Sequence, residues 1–169
     1  MKDHFLITVA AVAIAVGVVF CGVAALPGPA QAGETAYGGT FCSHSKTTMV
    51  QASPDVTAFD LEAWGIQTPD STFKPWANTT NHCMENDIIM QGKMSAHGEC
   101  LWTDSDGDTF IGTYVDEPGK PGTWTFLGGT GKWKGVTGSG TYQHVSSSKP
   151  RPDGTGEGCT THSGKYTLP

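Results

Sequence analysis

From residue 33 onward, apolar and polar side chains alternate in short runs broken by Gly, Pro, Asp and Asn, and no stretch carries the spacing of a long amphipathic helix. Such alternation predicts strands with one buried face, and the breakers between them predict hairpins. Tyr37 to Gln51 reads as a first strand. Val56 to Trp64 fits a strand or a short helix equally well, and Ser71 to His82, with Pro75, Trp76 and Asn78, reads as a loop. Strands follow at Asn86 to Lys93, His97 to Asp104, Thr109 to Val115, Thr123 to Leu127, Ser139 to Val145 and Thr160 to Leu168. Turns are expected at Ser105 to Asp108, whose Asp-Gly favours a type I′ geometry, and at Glu117 to Gly122. Gly128 to Val136 is a glycine-rich stretch and Ser146 to Gly158 a polar loop.

Period-two alternation then assigns faces. Trp124 and Phe126 share one, as do Tyr142 and His144, and likewise His162, Tyr166 and Leu168, while Thr123, Thr125 and Thr141 point the other way. About eight short strands with a turn roughly every ten residues predict an all-β sandwich or a closed barrel, and a barrel leaves no strand edge to protect.

Residues 1–32 have a different character. Lys2 and His4 precede an apolar run from Phe5 to Leu26, then Pro27-Gly28-Pro29 and the small-x-small tripeptide Ala30-Gln31-Ala32. This is the pattern of a signal peptide, with the mature domain at 33–169 beginning at Gly33. The run is also long enough to span a bilayer, so an uncleaved anchor is the competing reading. Phe20 stands where a lipoprotein site at Cys21 would need a small residue. The expected location is exported, periplasmic or secreted, with no stable membrane insertion once the signal is removed. The formal net charge of −6 comes with no basic stripe, which argues against nucleic acid as a partner.

Export puts Cys42, Cys83, Cys100 and Cys159 in an oxidising compartment, where four cysteines predict two bridges with three possible connectivities. The pairing Cys83–Cys100 with Cys42–Cys159 is preferred. It joins neighbouring strands with one bridge and the two ends of the domain with the other. A four-cysteine zinc site is the weaker alternative, because no C-x-x-C pair exists.

The run Gly128-Gly129-Thr130-Gly131-Lys132-Trp133-Lys134-Gly135-Val136-Thr137-Gly138-Ser139-Gly140-Thr141-Tyr142 resembles the G-G-T-G-K-aromatic-x-G-aliphatic-x-G-S-G element of the dirigent and allene oxide cyclase-like β-barrels. It is also similar to a group of exported bacterial proteins of unassigned role, which pair it with an upstream cysteine and a D-x-D-G-D turn, here Cys100 and Asp104 to Asp108. The resemblance spans residues 80–169. It implies a single barrel of about eight mostly antiparallel strands, calycin-like in shape. Dirigent-like barrels steer radical coupling of phenols and allene oxide cyclases close a ring on a fatty-acid epoxide, neither with a cofactor in the barrel. By the same resemblance this chain holds an apolar or aromatic small molecule and uses no cofactor.

Candidate chemistry follows from which residues share a face. Trp102, Tyr114, Trp124 and Phe126 are the expected ligand lining. His144 beside Tyr142 is the first candidate acid–base pair, and His97 with Glu99 the second. Asp104, Asp106 and Asp108 place three carboxylates on alternate residues and suggest calcium. However, Thr109 and Val115 occupy the positions where an EF-hand loop has Gly and Glu, so a solvated turn is preferred. No histidine pair has metal-binding spacing. Gly131-Lys132 precedes Trp133 rather than Ser or Thr, which removes a phosphate-binding loop, and no G-x-S-x-G is present. Three functions remain open: a binding module, a cofactor-independent lyase, isomerase or cyclase, and a structural envelope protein. A homo-oligomer is compatible with each.

Overall fold

The computed structural model describes residues 33–69 and 76–169. The apolar segment and cleavage site read at 1–32 lie outside the described residues, as does the first half of the loop expected at Ser71 to His82. Eight antiparallel strands form a closed barrel in sequence order, β1 (Thr35–Ser53), β2 (Val56–Pro69), β3 (Thr79–Met90), β4 (Lys93–Thr103), β5 (Thr109–Asp116), β6 (Gly122–Gly129), β7 (Thr137–Ser147) and β8 (Thr155–Thr167), with β8 returning to pair with β1. The ambiguous segment from Val56 is therefore a strand. Closure leaves no free strand edge.

Two of the expected elements are corrected. The strand placed at Asn86 to Lys93 begins at Thr79 and ends at Met90, so the second half of the expected loop is sheet. A tight turn follows, with Gln91 and Gly92 both at positive φ and Met90 paired to Lys93, the type I′ geometry expected elsewhere. The Asp104–Asp108 turn is not type I′. Only Gly107 has positive φ there, and its amide donates to the Asp104 carbonyl at 3.1 Å.

Both disulfides pair as preferred, and each bridges residues directly opposite on adjacent strands. Cys42–Cys159 lies across β1 and β8, stapling the seam that closes the barrel. Cys83–Cys100 lies across β3 and β4, with both residues buried on the inner face.

The hairpins alternate between the two ends, and the ends differ. At one end the aromatic core is packed solid. Trp76, at 0% exposure, sits with ring centroids 4.5 Å from both Tyr37 and Phe110, 5.1 Å from Trp133 and 5.4 Å from Phe126. The glycine-rich stretch supplies a short 3-10 turn at Gly131–Trp133 that tucks Trp133 into this plug. The Asp-rich turn clasps it from outside. Asp104 accepts from the Asp106 and Asp108 amides through Oδ1 (2.9 and 3.0 Å), and from the Trp133 indole through Oδ2 (2.6 Å). Lys132 Nζ reaches Asp104 at 2.9 Å and Asp106 at 2.6 Å, and Asp108 accepts from the Lys132 amide. Protein donors therefore engage all three candidate calcium carboxylates, which act as a structural lock.

Candidate functional site

The opposite half of the barrel is hollow. A cavity of about 750 Å³ runs down from the hairpin end that carries the β7–β8 loop, within the range of roughly 300–1,000 Å³ usual for small-molecule sites. Alternation builds its wall. Phe41 from β1, Phe59 and Leu61 from β2, Ile89 from β3 and Met94 from β4 supply apolar surface. Trp102, Trp124 and the Cys83–Cys100 disulfide lie deeper, next to the packed half. Pro150 to Gly154 of the β7–β8 loop lie at the rim, held by the Thr47 amide donating to the Gly154 carbonyl at 2.9 Å.

Two glycines make room for the tyrosines of this wall. Gly98 faces Tyr114 across β4–β5, and a Cβ there would come within 2.5 Å of the Tyr114 hydroxyl. Gly122 faces Tyr142 across β6–β7, where a Cβ would fall 2.2 Å from the ring. Each tyrosine can therefore lie across its neighbouring strand.

The polar groups inside this apolar wall are the notable feature. On β3, Glu85 and Asp87 follow Cys83 on the inward face. Tyr114 donates to Glu85 Oε2 at 2.6 Å. Asp87 is 2% exposed and its Oδ1 has no hydrogen-bond partner. Burial, reinforced by the neighbouring Glu85 and by the charges of Asp116 and Asp60, pushes its pKa up to about 9, so it carries a proton at neutral pH. Burial likewise raises the phenols of Tyr114 and Tyr142 well above their ordinary value, which keeps both as hydrogen-bond donors. On β8, burial and the nearby His144 lower His162 to about 4, leaving a neutral imidazole. His162 stacks on Tyr142, with centroids 5.6 Å apart, and bonds Thr160 Oγ1 at 2.8 Å.

Several sequence candidates meet here. Trp102, Tyr114, Trp124, Tyr142 and His144 all line the cavity. His144 sits at the mouth with its side chain 60% exposed, and its Nε2 lies 2.9 Å from Asp116 Oδ2. Phe126 does not line the cavity. It is buried in the aromatic plug, stacked near Trp76. His97 and Glu99 are likewise placed elsewhere. Ala96, Gly98, Cys100 and Trp102 take the inward positions of β4, so His97 and Glu99 project from the outer face, 3.9 Å apart and largely exposed. Glu85, Asp87, Asp116 and His162 were not singled out from the sequence. Cys83 was the available signal, because carrying alternation forward from a buried half-cystine puts Glu85 and Asp87 inside.

Among solved structures the chain is similar to a pterocarpan synthase dirigent protein, with a TM-score of 0.51 at 14% identity over 82% of this chain and 92% of that one. A second pterocarpan synthase dirigent protein aligns with a TM-score of 0.43 at 17% identity, covering 80% of this chain and 95% of the other. No protein-family model and no curated protein sequence matches the chain. The fold is thus a dirigent-like eight-stranded barrel, and identities this low speak to fold alone.

Proposed function

We propose that this protein is an exported barrel that holds an apolar or aromatic small molecule in the open half of its barrel. The observation that carries the reading is the division of the interior. One half is filled by aromatic side chains, while the other encloses about 750 Å³ of mainly apolar-walled space. Two disulfides suit an oxidising compartment, and among the described residues no helix is long and apolar enough to cross a membrane. The signal-like segment at 1–32 supplies the export reading.

Titration with the neutral fluorophore N-phenyl-1-naphthylamine tests it, with Ser45→Trp as the blocking variant. Ser45 lines the cavity on β1 away from the packed half, so an indole there fills space without disturbing the plug. Binding should weaken by about tenfold or more. Equal affinity in a folded Ser45→Trp protein would place the ligand elsewhere.

A second reading, a cofactor-independent lyase, isomerase or cyclase, is favoured by the protonated Asp87 and the tyrosine donors within the same cavity. Asp87 could give a proton to a bound ligand, and the neutral His162 or the Asp116–His144 pair could accept one. On this reading Asp87→Asn and Tyr142→Phe each remove turnover, and His144→Ala reduces it. Turnover surviving all three substitutions would exclude the assignment.

A further inference from the structure

The chemistry of the ligand can be taken one step further, on the reading that the cavity is a binding site. Among the described residues, the inner wall carries carboxyl groups and no lysine or arginine. Glu85 and Asp87 face the cavity, and the charge of Asp116, which hydrogen-bonds Tyr142, acts on Asp87. The one guanidinium among the lining residues, Arg151 at the rim, is tied to both oxygens of Glu157 at 2.8 and 2.9 Å. Asp116 has His144 Nε2 at 2.9 Å, and among the described lining residues no cationic side chain reaches Glu85 or Asp87. Burying like charges together is costly unless one is neutralised, either by a proton or by a cation.

A second observation shows where a cation would go. Asp87 Oδ1 is buried and unpartnered although its residue lines open space. Buried carboxyl oxygens normally find a donor, so this one is an acceptor left without a partner, on a residue that itself lines the cavity. Glu85 adds a second oxygen from the same strand face, two residues away. Around them, Tyr114, Trp102, Trp124 and Tyr142 offer ring surfaces that attract cations as well as hydrocarbon. We propose that the molecule taken by this cavity is an organic cation, an apolar or aromatic body bearing one ammonium group, with the nitrogen seated against Asp87 and Glu85. Its arrival replaces the proton on Asp87, so binding releases one proton into solution.

The groups that bear on Asp87 are few. Glu85 shares its strand, Asp60 acts through the field from the outer face of β2, and β4 opposes it with uncharged Ala96. Tyr114 and Asp116 face it from β5, Tyr142 and His144 from β7, and His162 from β8. Neutral His162 and the donor tyrosines keep their protonation between pH 6 and pH 8, and repeating the measurement in His144→Ala isolates the proton that Asp87 exchanges.

Calorimetry on the disulfide-intact protein with 2-naphthylmethylamine, 2-naphthylmethanol and 2-naphthoate tests this. The three share one aromatic body and differ in head-group charge. The amine should bind about tenfold or more tighter than the alcohol, as a charge-assisted hydrogen bond provides, and the carboxylate weakest. Amine affinity should rise from pH 6 to pH 8, and buffers of different ionisation enthalpy should reveal the released proton. In Asp87→Asn the amine-to-alcohol ratio should fall to about threefold or less. The proton release is read on the unaltered protein, so the test stands even where the variant fails to fold. Alcohol binding as tightly as amine overturns the cation assignment and leaves the binding reading intact. Absence of binding by all three overturns the binding reading as well.

Discussion

The lock between the Asp-rich turn and Trp133 makes a sharp prediction through Asp104→Asn. The substitution keeps size and shape and replaces one oxygen by an amide NH2. Oδ1 can stay an oxygen and hold the Asp106 and Asp108 amides. The nitrogen must then stand where Oδ2 was, against the Trp133 indole N–H at 2.6 Å and Lys132 Nζ at 2.9 Å. Flipping the amide instead sets two backbone donors against it. Either way a buried donor loses its acceptor, which costs about 1–3 kcal/mol, and a charge-assisted bond disappears as well. The exposed Lys132 adds little. The expected loss is about 2–4 kcal/mol, read as a shift in urea midpoint at unchanged slope. Trp133→Phe removes the donor rather than the acceptor. The Asp104→Asn/Trp133→Phe double variant should therefore be less destabilised than the sum of the singles, with a coupling of about 1–3 kcal/mol.

The pH dependence follows with a definite sign. Burial alone would raise the pKa of Asp104, but the bonds from Trp133, Lys132 and the two amides outweigh it and hold the carboxyl below its ordinary value. A depressed folded value means that the stabilisation is present above the unfolded pKa of about 3.9 and is lost as pH falls through the folded one. The gap between the native and Asp104→Asn proteins should be flat from pH 7 to about pH 5 and close below about pH 4. Strict additivity in the double variant, or a gap unchanged at pH 3, would refute the lock as an energetic unit.

Other perturbations address the cavity half and the staples. Gly98→Ala drives a methyl into the Tyr114 ring and hydroxyl, so it should cost about 1–3 kcal/mol and abolish the Tyr114–Glu85 bond, checked by thermal unfolding and by the loss of ligand affinity. His162, held near 4 against an ordinary 6.5, makes the fold lose stability as pH drops from about 6.5 towards 4. Unfolding followed at pH 7 and pH 4.5 should show a smaller difference in His162→Gln. Asp87, raised to about 9, contributes most below its ordinary 3.8, and that contribution fades as pH climbs to 9, so Asp87→Asn should flatten the alkaline slope of stability. Cys42 and Cys159 are 117 residues apart and Cys83 and Cys100 only 17. In the chain-entropy account, paired serine substitution should cost about 4–5 kcal/mol at the first bridge and about 3 kcal/mol at the second.

What was legible in the sequence depended on which face of each strand was apolar. On β6, Trp124 and Phe126 point in and Thr123 and Thr125 point out, so alternation assigns the strand and its faces together. On β3 the polarity is inverted. Thr79, Asn81, Glu85 and Asp87 take inward positions while Met84, Ile88 and Met90 are exposed. A period-two reading that expects apolar residues inside sees a loop followed by a late strand, and it misses the carboxyls that give the cavity its character. Alternation pairs His97 with Glu99 on a common face without saying which face that is. Their partner positions in the ladder, around Cys100 opposite Cys83, already fix them on the outside. The half-cystines carried the information that the hydrophobic pattern lacked, since buried cystine is apolar whatever surrounds it.

The two halves of the barrel also place opposite demands on stability, and the Cys83–Cys100 bridge lies where those demands meet. Packing Trp76, Trp133, Phe110 and Phe126 together removes large apolar surfaces from water, and the Asp104 lock satisfies the one indole N–H that Trp133 brings with it. At the open end, β3 must hold Glu85 and Asp87 inside an apolar wall, which favours letting that strand open to water. Cys83 precedes Glu85 by two residues on the same face, and its bridge to Cys100 ties β3 to β4 where the packed half ends. Local opening of the acidic segment therefore stops at the disulfide. If so, hydrogen exchange in Cys83→Ser/Cys100→Ser should quicken along β3 from Glu85 to Met90 well before it quickens at Phe110 or Trp133. Uniform acceleration across both halves would mean that the barrel opens as one unit and that the division between its ends is one of shape alone.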